Sequence, residues 1–94
     1  MIASLKSKAL KQFWLKDDAS GLRPVWVNRI RLILSMMDVV VEPKGLDLPG
    51  LNFHALAGDQ AGRFSVLVSR NWRITFGFDG ENIVDVVLED YHGR

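Results

Sequence analysis

Phe64-Ser65-Val66-Leu67-Val68-Ser69-Arg70-Asn71-Trp72-Arg73-Ile74-Thr75-Phe76-Gly77-Phe78 is the stretch whose reading decides the fold. Phe64, Val66 and Val68 alternate with Ser65, Leu67 and Ser69, and Trp72, Ile74, Phe76 and Phe78 alternate with Arg73, Thr75 and Gly77. A period of two is the mark of a strand with one buried face, so the two runs predict a hairpin. With a three-residue turn, Ser69-Arg70-Asn71, and Asn71 in the left-handed region, Val68 faces Trp72 and Val66 faces Ile74. Arg73 then points to the opposite face. A two-residue Arg70-Asn71 turn would set Val68 beside Arg73, so turn length decides how polar the second face is, and the three-residue form is preferred.

Downstream, Asp79-Gly80-Glu81-Asn82 predicts a second turn, followed by a last strand with Val84, Val86 and Leu88 on its apolar side. Upstream, Glu42-Pro43 to Leu48-Pro49-Gly50 reads as a loop, and Asn52 to Leu56 as a short extended segment carrying His54. Before the loop the period changes. Leu5, Ala9, Leu10, Phe13 and Trp14 recur at helical spacing, predicting a helix within residues 5–16 that Asp17-Asp18-Ala19-Ser20-Gly21 ends. A second helix is expected from Pro24, with Trp26, Ile30, Ile33, Leu34 and Met37 on one face. Met1 to Ser4 is a candidate edge strand. Helices first and strands after predict an α+β fold, with two N-terminal helices packed on a small antiparallel sheet.

The chain has 94 residues and 48% hydrophobic content, which suits a single domain over residues 1–94 with one core. There is no cysteine, which rules out a disulfide framework and a thiolate metal site and favours the cytoplasm. No run approaches the roughly 20 apolar residues that a membrane helix needs, so no membrane partner is expected. Net charge is only +1, yet residues 1–31 carry seven bases against two acids and the remainder nine acids against five bases. A basic N-terminal portion can face a phosphate backbone, although a solvated helix surface would look the same.

The two histidines, His54 and His92, are the candidate acid and base, since an imidazole titrates near pH 6.5. His92 stands in Glu89-Asp90-Tyr91-His92, where ionisable groups concentrate at a strand end. RNA cleavage needs this chemistry: one group removes the 2′-hydroxyl proton, another protonates the departing 5′-oxygen, and a cation stabilises the phosphorane. Arg73 suits the last role through paired hydrogen bonds to phosphate oxygens. Asp90 can orient a histidine, and Tyr91 can stack on an unpaired base or donate to a phosphate. Strict alternation puts Tyr91 on the Arg73 face and Asp90 and His92 away from it, so a bend near Glu89 is required to gather them. Gly58 and Gly62 have no phosphate-loop spacing, and no metal-ligand or cofactor-binding constellation is visible.

Leu51-Asn52-Phe53-His54-Ala55-Leu56-Ala57-Gly58-Asp59, Gly62-Arg63-Phe64-Ser65-Val66, Asn71-Trp72-Arg73-Ile74-Thr75-Phe76 and Glu89-Asp90-Tyr91-His92 resemble, in order, consecutive blocks of the HigB toxins of the RelE/ParE superfamily. Leu5-Lys6-Ser7-Lys8 is similar too. The resemblance implies a RelE-like fold and ribosome-dependent cleavage of mRNA in the A site. It also implies a HigA-type helix-turn-helix antitoxin that neutralises the toxin and, with it, binds operator DNA. His54, Arg73, Asp90, Tyr91 and His92 match functional positions of the family. Lys6, Lys8, Arg63 and Arg70 are the expected contacts to RNA or ribosome.

At one position the chain departs from that pattern. Many HigB proteins resemble His-Pro-Leu-Lys-Gly-Asp where this chain has His54-Ala55-Leu56-Ala57-Gly58-Asp59, so a cation is lost at Ala57 and a weaker toxin is expected. Two other readings are a ParE-like toxin that binds gyrase without enzymatic action, and a weakened toxin kept for antitoxin and operator binding.

Overall fold

A computed structural model describes residues 1–90. The sheet is an antiparallel meander in the order β1-β2-β3-β4, with β1 at His54–Ala55, β2 at Phe64–Ser69, β3 at Trp72–Asp79 and β4 at Asn82–Asp90. The N-terminal segment lies parallel to β4 through bridges of Ile2 with Ile83 and Leu5 with Val86. The candidate edge segment thus lies beside β4, joined to it by isolated bridges and not as a continuous strand. It reaches Leu5, whose spacing to Ala9 had read as helical.

Helix α1 consequently begins at Lys8 and runs to Lys16. Ser7 precedes it, and its hydroxyl accepts the Leu88 N–H at 2.8 Å, which ties the helix entrance to β4. Asp17 ends the helix in the left-handed region at φ 54°. The Ser20 N–H donates to Asp18 at 3.0 Å, and that bond holds the Asp18 carboxyl below its ordinary pKa. Pro24 opens a 3₁₀ turn, Pro24–Trp26, that runs into α2, Val27–Met37. The expected stripe is the buried one: Trp26, Ile30, Ile33, Leu34 and Met37 all lie in the core. Gly21 allows the approach to α1, because a Cβ there would sit 2.9 Å from Cβ of Ala9.

The core lies between the helices and one face of the sheet, where Val66, Ile74, Phe76, Ile83 and Val86 join the α2 stripe. Trp72 packs tilted on Trp26 at 5.2 Å, and Phe64 stacks on Phe53 at 5.6 Å. Arg29 of α2 fastens the helix to the sheet with bonds to the Leu67 carbonyl at 3.0 and 2.7 Å and to the Gly50 carbonyl at 2.7 Å. This basic residue of the N-terminal third thus serves the edge of β2.

Two bulges set which residues face which side. In the first hairpin Ser69 pairs with Trp72, so Arg70-Asn71 is a two-residue turn, which corrects the three-residue expectation. Val68 is the extra residue, and beyond it Leu67 faces Arg73 and Val66 faces Ile74. Of the two expected facings, that of Val66 with Ile74 survives because the bulge supplies the offset assigned to a longer turn, whereas Trp72 faces Ser69 and not Val68. The second turn is the expected Asp79-Gly80-Glu81-Asn82: Asp79 pairs with Asn82, and Gly80 takes φ 63°. In β4 the register shifts as Gly77 pairs with Val84 but Thr75 with Val87. Asp85, at φ 54°, sits in that bulge. Ile83 and Val86 are buried while Val84 is half-buried, so the uniform alternation expected for Val84, Val86 and Leu88 breaks at Asp85.

Candidate active site

The register lines up two rows on the face turned away from the helices. His54 pairs with Ser65, Ser65 with Thr75 and Thr75 with Val87; beside that row Leu67 pairs with Arg73 and Arg73 with Glu89. A side-chain period of two keeps both rows on one side of the sheet. A pocket of about 100 Å³ opens there, lined by Asn52, His54, Ser65, Val66, Leu67 and Arg73. The two groups assigned from sequence to proton transfer and to phosphate binding thus line one cavity.

His54 owes its position to its neighbours. Phe53 is held by its stack on Phe64, and Asn52, at φ 50°, takes a left-handed turn just before the strand. That conformation suits asparagine better than most side chains. The Asn52 carboxamide oxygen lies 3.2 Å from Nε2 of His54. The ring itself is exposed and reachable from solvent.

Arg73 is more enclosed. Its Nη2 donates to Oε2 of Glu89 at 3.1 Å, with the two side chains 20% and 28% exposed. The other Glu89 oxygen, Oε1, accepts from the Thr75 hydroxyl at 3.1 Å. Thr75 is fully buried, and its oxygen accepts in turn from Nη2 of Arg63 at 2.9 Å. The same Arg63 nitrogen donates to the Asp85 carbonyl at 2.8 Å.

Arg63, expected at RNA or ribosome, is thus bonded inside the sheet face, with Thr75 and the bulge as partners. Arg70 is exposed in the two-residue turn. Lys6 and Lys8 are exposed at the edge beyond β4, across the sheet from His54, and do not line the pocket. Asp90 pairs with Trp72, the position that alternates away from the Arg73 row. The register is regular from Val87 to Asp90, and the irregularity of this strand lies at Asp85 instead of near Glu89. Tyr91 and His92 lie outside the described residues. Glu89, Thr75 and Asn52 were not singled out from sequence. Glu89 and Thr75 each stand an even number of residues from a position assigned to this face, so alternation alone carried the signal.

Among the described residues no helix is long and apolar enough to cross a membrane. A family model described as the RelE-like toxin HigB of type II toxin-antitoxin systems matches residues 3–92. The Endoribonuclease HigB of Proteus vulgaris is 38% identical over 92 residues, covering 98% of this chain and all of that protein. Two solved structures share the fold. A YafQ mutant from E. coli superposes with a TM-score of 0.61 at 13% identity, covering 96% of this chain and 93% of that one. The YoeB-YefM complex from Staphylococcus aureus gives 0.58 at 15% identity, with 98% of each chain covered.

Proposed function

The chain belongs to the HigB-like family of RelE-like toxins from type II toxin-antitoxin systems, and on that premise we propose that it is an endoribonuclease that arrests translation by cutting messenger RNA in the ribosomal A site. The observation that carries the reading is the pocket shared by His54 and Arg73. The name of the Proteus vulgaris relative supports the same activity.

In this mechanism the 2′-hydroxyl of the RNA is the nucleophile and no metal is needed. One histidine of the pair His54 and His92 takes the 2′-proton, the new bond to phosphorus forms, and the bond to the 5′-oxygen breaks as the other partner returns a proton. Arg73 meets the charge that builds on the non-bridging oxygens, where a positioned donor acts most strongly. Tyr91 completes the site by stacking on the exposed base, and Asp90, on the side of the strand away from Arg73, serves it only through the orientation of His92. The openness of the site supports ribosome dependence: His54 stands on an exposed two-residue strand, where a larger partner is suited to hold the RNA in place. Lys6, Lys8 and Arg70 supply exposed charge for that docking, with Arg63 holding the sheet face behind it.

The partner that silences the toxin is a HigA-type antitoxin. The toxin-antitoxin description of the matching family supports a partner of this kind, as does the YoeB-YefM complex among the structural neighbours. Together toxin and antitoxin would bind operator DNA. The test maps RNA 5′ ends after induction of wild type or His92→Ala. Cuts phased with ribosomes in the wild type and missing from the variant are expected. DNA damage with unchanged messenger ends would favour a gyrase-binding toxin instead.

A further inference from the structure

Arg63, Thr75, Glu89 and Arg73 form a continuous chain of hydrogen bonds, at 2.9, 3.1 and 3.1 Å in that order, running from the β4 bulge to the pocket. Its direction is set at Thr75. The Thr75 oxygen accepts from Arg63, which leaves its single proton to go to Glu89, and both carboxylate oxygens of Glu89 are then engaged. A carboxylate held at both ends is a fixed acceptor, and a guanidinium bonded to it loses rotational freedom.

We propose that Glu89 is a positioning residue for Arg73: it fixes the guanidinium at the pocket wall, and Thr75 and Arg63 fix Glu89. Electrostatics allows this. Glu89 pairs with Arg73, while Arg63 is bonded to the neutral Thr75 hydroxyl and the Asp85 carbonyl, so a second guanidinium charge lies behind the pocket wall, where it favours phosphate. Because Glu89 is also held by Thr75, an arriving phosphate meets an arginine whose orientation is already set, and reorganisation at the moment of reaction is small. The alternative is a mask, in which Glu89 competes with phosphate for Arg73 and slows the free toxin.

The inference rests on the reading of Arg73 as the phosphate-binding cation, and the experiment separates the two. Single-turnover cleavage of 5′-labelled mRNA bound to ribosomes is measured for wild type, Glu89→Ala, Arg73→Ala and the double variant, with a thermal melt of each. Glu89→Ala is expected to lower the saturating rate by about tenfold to a hundredfold, while the toxin concentration at half-saturation changes little. In the Arg73→Ala background the same change should cost less than about twofold, because a residue acting through Arg73 has nothing left to act on. A Glu89→Ala rate equal to or above wild type would overturn the proposal, as would an equal loss in both backgrounds. If Glu89→Ala does not fold, Thr75→Val runs the same cycle. A loss that vanishes with Arg73 supports positioning; no loss, or one independent of Arg73, overturns it. An Arg73→Ala variant as fast as wild type would instead sink the reading of the site.

Discussion

Oε2 of Glu89 stands 3.1 Å from Nη2 of Arg73 across paired strands, and the meeting follows from one inserted residue at the Asp85 bulge. Asp85 holds φ 54°, which costs a residue with a Cβ about 1–2 kcal/mol and a β-branched one more. Asp85→Val is expected to lower stability by at least about 1 kcal/mol in urea titration, whereas Asp85→Gly, free of that strain, stays nearer wild type. If the valine removes the bulge instead, the register slips by one and every side chain after it changes face. An Asp85→Val protein as stable as the glycine variant would show that the bulge does not govern the strand.

Arg29 is expected to matter for folding more than any exposed arginine. It satisfies the Leu67 and Gly50 carbonyls, and these lose their charged donor in Arg29→Ala, at about 1.5–3 kcal/mol. Arg31→Ala is the control. Its ion pair with Asp17 is exposed on both sides, at 53% and 79%, and should be worth under about 1 kcal/mol. Urea midpoints of the two variants check the contrast, and equal midpoints would refute it.

Ala57 is exposed at the start of the short turn between β1 and β2, three residues from His54, so a lysine there fits without disturbing the core. Ala57→Lys is expected to strengthen the toxin by restoring a cation near the pocket. Growth arrest should then occur at lower induction than with wild type. Arrest at the same induction would mean that the lysine is dispensable in this chain.

Much of the architecture was legible because burial imposes its period on sequence. The α2 stripe from Trp26 to Met37, and the pairing of Val66 with Ile74, are cases where every apolar position agrees. The errors come where two structures share one spacing. Leu5 stands four residues before Ala9, which suits a helix, yet it pairs with Val86 because a parallel edge bridge needs only an isolated apolar residue. The Asp85 bulge had no glycine to announce it, so Val84 was placed on the wrong face. In the site, His54 and Arg73 follow from alternation once the hairpin register is right. The partnership of Glu89 with Arg73 depends on the register between β3 and β4, which local pattern does not set and which a tight turn at Gly80 and one bulge decide together.

The central claim is that the pocket of His54 and Arg73 cuts RNA, and its most direct test is the cleavage rate of ribosome-bound mRNA by purified His54→Ala beside wild type. His54 is exposed, so the substitution should leave the melting temperature unchanged. The expected result is a rate lower by about a hundredfold to ten-thousandfold at equal folded toxin. A rate equal to that of wild type would contradict the account.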